Sequence, residues 1–340
     1  MQLKKTLKNL LVPALASRPV SALANLVFEH GIPIFMVHRM AIEGQPNTGI
    51  TPDHLRHCLH YLKKTGYVFV SLEELILALK NQTALPDKSV VFTMDDGYTD
   101  QALAAAPIFL EFNCPLTFFV ITGLLDQTLW PWDAKVSWII NNSKQSLLKI
   151  HFEDELLEIE LGNANERHRA RQKIRDTIKE MDAERIPGIL SRLAQDADVS
   201  LPEAAPTNYQ PLDWEQAREL EASGIRFAPH SQTHRILSKL HRSSAEKEIL
   251  NSWGTLKKEL ANPLKVFCYP TGRTLDFGPR EIGILKEAGF LGAVATIPGF
   301  AKPGKHSAEQ VFRLPRFELP DNMTDFIQHC SWISHTRRAS

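Results

Sequence analysis

The chain has 340 residues, 43% of them hydrophobic, which suits one large α/β domain carrying an insertion. Lysine plus arginine equals aspartate plus glutamate at 39 each, so no overall field favours nucleic acid or an anionic membrane. No apolar run approaches the roughly 20 residues that cross a bilayer, and a neutral polymer or sugar is a compatible partner.

In chain order, residues 1–31 begin with Lys4, Lys5 and Lys8 ahead of the apolar run Leu10 to Ala16, which Arg18 and Pro19 interrupt. That favours an uncleaved amphipathic segment over a secretory signal, and a cytoplasmic protein over a secreted one. Cys58, Cys114, Cys268 and Cys330 lack metal-type spacing and read as thiols of a reducing compartment. Ile32 to Val37 predicts the first strand and ends at His38-Arg39. Thr51 and Pro52 then read as N-cap and first residue of a helix with Leu55, Cys58, Leu59 and Leu62 on one face, closed by Gly66. Tyr67 to Val70 predicts a strand, Ser71 with Glu74 a capping box, and Val90 to Thr93 a strand that runs into Met94-Asp95-Asp96-Gly97. Pro115 to Ile121 follows the same rhythm.

Residues 126–210 break it. They open with Trp130-Pro131-Trp132-Asp133 and become highly charged between Glu166 and Arg185, where Ile174, Ile178 and Met181 keep a helical stripe. A solvated helical excursion and a substrate lid both fit this insertion. Asp213 with Gln216 is a capping box and therefore structural. Ile225 to Ala228, Leu264 to Cys268, Leu291 to Thr296 and Val311 to Phe317 supply further strands, and residues 326–340 form a tail with a frayed end. The alternation predicts a parallel sheet with outer helices, a distorted (β/α) barrel formed by residues 32–125 and 211–325. His38, Asp95, Asp96, His230 and Tyr269 all fall at C-terminal strand ends, the face on which such barrels carry active sites.

Those residue types carry chemistry. His230-Ser231-Gln232-Thr233-His234 sets two imidazoles four residues apart, and the Asp95-Asp96 pair adds carboxylates. One carboxylate and two histidines make a three-ligand site that leaves positions open for water and substrate, and the spare carboxylate can act as a base. The paired aspartates can also simply satisfy loop amides.

With these motifs the chain resembles the polysaccharide deacetylase family, metal-dependent carbohydrate esterases related to the nodulation chitooligosaccharide deacetylases. The first family motif, Thr-Phe-Asp-Asp-Gly, appears as Thr93-Met94-Asp95-Asp96-Gly97, and the second, His-Ser/Thr-x-x-His, as His230 to His234. Val37-His38-Arg39 and Tyr269-Pro270-Thr271-Gly272 point to the branch of the exopolysaccharide poly-N-acetylglucosamine deacetylases, although Thr271 stands where that branch has a second aromatic. The resemblance implies hydrolysis of N-acetyl, or secondarily O-acetyl, groups on a glycan or a lipid-linked saccharide. It implies a divalent metal, zinc by default, on Asp96, His230 and His234, with Asp95 as general base and the Tyr269 backbone N–H as oxyanion donor.

The family's late Leu-x-His acid motif is absent, and His306, His329 and His335 sit in polar or terminal contexts. His38 is then the candidate general acid, its alternative being an ordinary core histidine. The family's Arg-x-Pro-Tyr motif is also missing; Arg316 either orients Asp95 or makes a surface salt bridge. Two other classes stay open: a two-histidine, one-carboxylate iron oxygenase, and a catalytically silent glycan-binding module of the same fold.

Overall fold

The computed structural model describes residues 31–42, 49–152, 155–304 and 310–331, together with Lys8, Leu11, Val12, Leu15 and Ile333. The amphipathic segment expected over residues 1–31, His306, His335 and the frayed end of the tail lie largely or wholly outside these residues.

Local signals in the sequence set the first α/β units. Strand β1 (Ile32–Val37) leads to helix Pro52–Thr65, whose N-cap Thr51 accepts the His54 N–H at 3.1 Å and whose chain leaves through Gly66 at φ 83°. Leu55, Cys58, Leu59 and Leu62 form its buried stripe. After β2 (Val68–Phe69), the Ser71–Glu74 capping box starts helix Leu72–Asn81, which returns the chain to β3 (Ser89–Asp96). A short helix, Ala106–Glu111, precedes β4 (Leu116–Val120).

The insertion is helical at Trp132–Asn142, Ala164–Lys179 and Ile186–Asp196, but it also holds an antiparallel hairpin, β5 (Leu147–Phe152) with β6 (Glu155–Glu160), that the sequence reading does not anticipate. Trp132, Val136, Ile139 and Ile140 are buried with Ile174 and Ile178 in the main core, so the segment is packed against the barrel as part of its wall. Capping by Asp213 then starts helix Trp214–Ala222, followed by β7 (Arg226–Pro229), helix Arg242–Glu259, β8 (Val266–Cys268), helix Pro279–Glu287, β9 (Gly292–Val294), β10 (Phe300–Ala301), β11 (Phe317–Glu318) and helix Met323–Cys330.

A seven-stranded sheet runs in the order β10-β1-β3-β4-β7, with β11 on β1 and β2 on β3. β8 and β9 form a separate parallel pair. The ladder is interrupted and not formally closed, but single contacts link its parts: Leu264 N–H donates to the Phe227 carbonyl at 2.7 Å, Leu314 bridges to Val294, and Phe317 pairs with Phe35. This is the distorted barrel expected from the β/α rhythm. One expectation is corrected. The last strand is not Val311 to Phe317: Pro315 cannot donate to a ladder, and only Phe317–Glu318 pair as a strand. Helix Met323–Cys330 runs across residue 326 and puts Phe326 against Phe35 with ring centroids 5.0 Å apart.

Register positions the polar strand ends. Val37 pairs with Met94, Asp96 with Val120, and Val120 with Pro229, so His38, Asp95, Asp96 and His230 emerge at one level. Alternation puts Phe35, Phe92, Phe118 and Phe227 on the helix-facing side, and Ile34, Val91, Phe119 and Ala228 on the other.

Candidate active site

Asp95 continues the inner row of β3 that contains Val91 and Thr93. There it meets Arg316, which is wholly buried and donates from Nη1 to Asp95 Oδ1 at 2.7 Å and from Nη2 to Oδ2 at 2.6 Å. The guanidinium is completed by Thr93 Oγ1 at 2.9 Å and the Ala295 carbonyl at 3.0 Å. Burial alone would raise the Asp95 pKa, but the charge and hydrogen bonds of Arg316 outweigh it and hold the carboxyl well below the usual carboxylate range. Of the two readings of Arg316, the structure therefore contains the pair with Asp95, as a buried fork.

Adjacent strand residues face opposite ways, so two neighbouring carboxylates need a break in the strand to serve one mouth. Asp96 at φ 89° followed by Gly97 at φ 102° provides it. Left-handed backbone is costly for Asp and favours glycine at 97, where a Cβ would also force Leu125 Cδ1, 2.7 Å away, to shift. Asp96 Oδ1 then lies 3.6 Å from His230 Nε2 and 3.8 Å from His234 Nε2.

The histidine loop is equally constrained. Ser231 and His234 both have positive φ, 65° and 59°. Buried Glu248 holds the turn by accepting the N–H groups of Gln232 and Thr233 at 3.0 and 2.8 Å. His230 turns Nδ1 to the Cys268 carbonyl at 2.9 Å, which leaves Nε2 facing Asp96. Burial, then the neighbouring His234, lowers the His230 pKa to about 3, so a neutral imidazole with a lone pair is the resting form. For Asp96, burial pushes the pKa up and the charge of His234 opposes it.

His38, 35% exposed at its side chain, stands across Asp95 with Nε2 3.8 Å from Oδ2. Buried Gln101 links the two elements: its amide donates to the carbonyls of His38 and Asp95, and its oxygen accepts the Gly97 and Tyr98 N–H groups at 3.0 and 2.7 Å. The structure thus brings together His38, Asp95, Asp96, His230, His234 and Arg316.

Tyr269 does not join them in the expected way. It is fully buried, its N–H donates to Val294 at 3.3 Å, its hydroxyl donates to Phe312 at 2.9 Å, and its ring stacks on Phe277. In this structure the Tyr269 N–H is engaged within the sheet and does not point into the cluster formed by the other candidates. His329 stacks on Phe317, with ring centroids 4.4 Å apart.

Three contributors escape the sequence reading. Gln101 has only its i+4 spacing from Gly97 as a signal. Cys268, read as an ordinary thiol, donates to Asp95 Oδ2 at 3.4 Å and lies 3.1 Å from Arg316 Nη2. Asp133, in the sequence only the end of the tryptophan-rich opening of the insertion, places Oδ1 3.6 Å from His234 Nδ1. Burial would lower the His234 pKa, but Asp133 outweighs it and raises it.

Two groups of donors are close enough to share a cation: Asp96, His230 and His234, and Asp95, His230 and Cys268. The second is disfavoured because Arg316 puts a positive charge against two of its members and burial keeps the Cys268 thiol protonated. The first fits: nitrogen and oxygen donors about 2.0–2.1 Å from a tetrahedral zinc lie roughly 3.3–3.4 Å apart, close to the separations seen.

A carboxylate and two imidazoles at a barrel mouth, beside a second, arginine-held carboxylate, make a centre suited to hydrolysis. Comparison with known proteins agrees. The profile of the polysaccharide deacetylase family matches residues 82–291, and the chain belongs to that family; it is a deacetylase, a hydrolase acting on acetylated glycans. Comparison with curated protein sequences finds no match. Among solved structures, the fold is similar to that of the Streptococcus pyogenes deacetylase PplD, solved with acetate, at 21% identity and a TM-score of 0.58, covering 89% of this chain and 99% of that one. It is also similar to IcaB from Ammonifex degensii, at 18% identity and a TM-score of 0.57, covering 89% and 97%. A de-N-acetylase from Aggregatibacter actinomycetemcomitans aligns at 16% identity and a TM-score of 0.52, covering 88% and 100%. Among the described residues, no helix is long and apolar enough to cross a membrane.

Proposed function

We propose that this chain removes N-acetyl groups, and secondarily O-acetyl groups, from a glycan or lipid-linked saccharide, using one divalent cation held by Asp96, His230 and His234. Zinc is the expected ion from the two-imidazole, one-carboxylate donor set. Bound there, the cation would lower the pKa of water toward about 7 and polarise the acetyl carbonyl. Asp95 takes the proton of the attacking water. Its pairing with Arg316 keeps it ionised and fixes the direction of its lone pairs, at the cost of basicity. His38 delivers a proton to the departing amine from the solvent side of the site, where its side chain is partly exposed.

The observation that carries this reading is the convergence of Asp96 on both Nε2 atoms, with the Asp95–Arg316 fork beside it. A silent binding module has no need of a wholly buried arginine aimed at an acid, and an iron oxygenase has no use for the second carboxylate. One cation per chain is expected by elemental analysis, and His234→Ala should lose most of it. Full occupancy in that variant would contradict the ligand set.

A further inference from the structure

His234 Nδ1 and Asp133 Oδ1 are both buried, and neither has a hydrogen-bond partner among the described residues, yet they face each other at 3.6 Å. The other histidine of the pair is different, since His230 Nδ1 already has the Cys268 carbonyl at 2.9 Å. A neutral imidazole that offers Nε2 to a cation carries its proton on Nδ1, and that buried N–H needs an acceptor. For His230 the acceptor is backbone. For His234 the nearest acceptor comes from the insertion.

We propose that Asp133 is a positioning residue of the metal centre: it accepts the Nδ1–H of His234, fixing the tautomer and ring orientation that present Nε2 beside Asp96. The inference rests on the reading given under Proposed function and assigns the insertion a part in it. Asp133 is not a fourth ligand, because it lies on the Nδ1 side of the ring while Asp96 lies on the Nε2 side.

The segment that carries Asp133 is fastened to this histidine by other contacts. Pro131 precedes helix Trp132–Asn142, which puts Asp133 in its first turn. The neighbouring Trp132 is buried and donates from Nε1 to the His234 carbonyl at 3.3 Å. Arg175, from helix Ala164–Lys179 of the same insertion, donates to the Asp133 carbonyl from Nη2 and Nε at 3.1 and 3.3 Å. Backbone and side chain are thereby aimed at His234, and a shift of under about an ångström brings 3.6 Å to the ordinary length of a charge-assisted hydrogen bond. The plainer alternative is a first-turn carboxylate that serves only its own helix. It predicts lower stability on substitution and unchanged cation affinity.

The test uses the full chain stripped of metal and titrated with zinc against a chromophoric chelator. Asp133→Asn and Asp133→Ala should bind zinc about 10- to 100-fold more weakly than the wild type, the usual range for loss of such a partner. Cobalt(II) bound to each variant should show shifted ligand-field bands. Wild-type affinity and an unchanged cobalt spectrum in both variants would overturn the inference while leaving the proposed function intact. A wild type that takes up no cation would remove both. Should the variants be recovered unfolded, the wild type decides: in ¹⁵N-histidine spectra of the zinc-loaded chain, His234 should carry its proton on Nδ1 and the metal on Nε2. The opposite tautomer would overturn the inference.

Discussion

Arg316→Met should destabilise the fold by about 3–5 kcal/mol, because it leaves the Asp95 carboxylate buried without its counter-charge. Denaturant unfolding of the metal-free chain measures this, and its pH dependence identifies the cause. In the wild type the Asp95 pKa is depressed, so its stabilising contribution is present above the unfolded value of about 3.9 and is lost as pH falls through the folded one. In the variant burial is opposed only by the lesser influence of His230 and His38, and the pKa rises. The folded state then binds the extra proton, and stability is lost as pH rises through the raised value. The deficit should therefore be larger near pH 7 than near pH 5. Adding Asp95→Asn to Arg316→Met should recover part of it, since no orphaned charge remains. A deficit under about 1 kcal/mol, or one independent of pH, would mean that the fork contributes little.

The second large effect separates base from acid. Asp95→Asn and His38→Ala should each keep the cation and lower amide hydrolysis by roughly 10²- to 10⁴-fold, the scale of positioned acid–base groups. An amide must have its amine protonated as it leaves, whereas an activated aryl acetate departs without help. His38→Ala should consequently spare the aryl ester far more than Asp95→Asn does. Equal losses on both substrates for the His38 variant would pass the acid role to another residue.

Local rules made much of this legible in the sequence. Caps such as Thr51, Ser71 and Asp213 and the stripe through Leu55 and Leu62 depend on neighbours within a turn, and the structure contains each of them. The strand-end carboxylates and imidazoles were visible because a parallel β/α array gathers its C-terminal ends whatever the details of register. Asp133 was not, because its role depends on a contact with a residue 101 positions later that no local pattern encodes. The engagement of the Tyr269 N–H is hidden for the same kind of reason: it depends on the pairing of β8 with β9, where Val294 accepts it. The hairpin Leu147–Phe152 with Glu155–Glu160 is hidden in an insertion whose periodic stripe, Ile174, Ile178 and Met181, points to helix alone.

The most direct measurement is acetate release from N-acetylglucosamine oligomers by the purified chain, before chelation, after it, and after zinc is restored. The proposed chemistry predicts release that stops on chelation and returns with zinc, and that is lost in Asp95→Asn. Release that chelation leaves untouched, or none from any acetylated glycan by zinc-loaded protein, would contradict it.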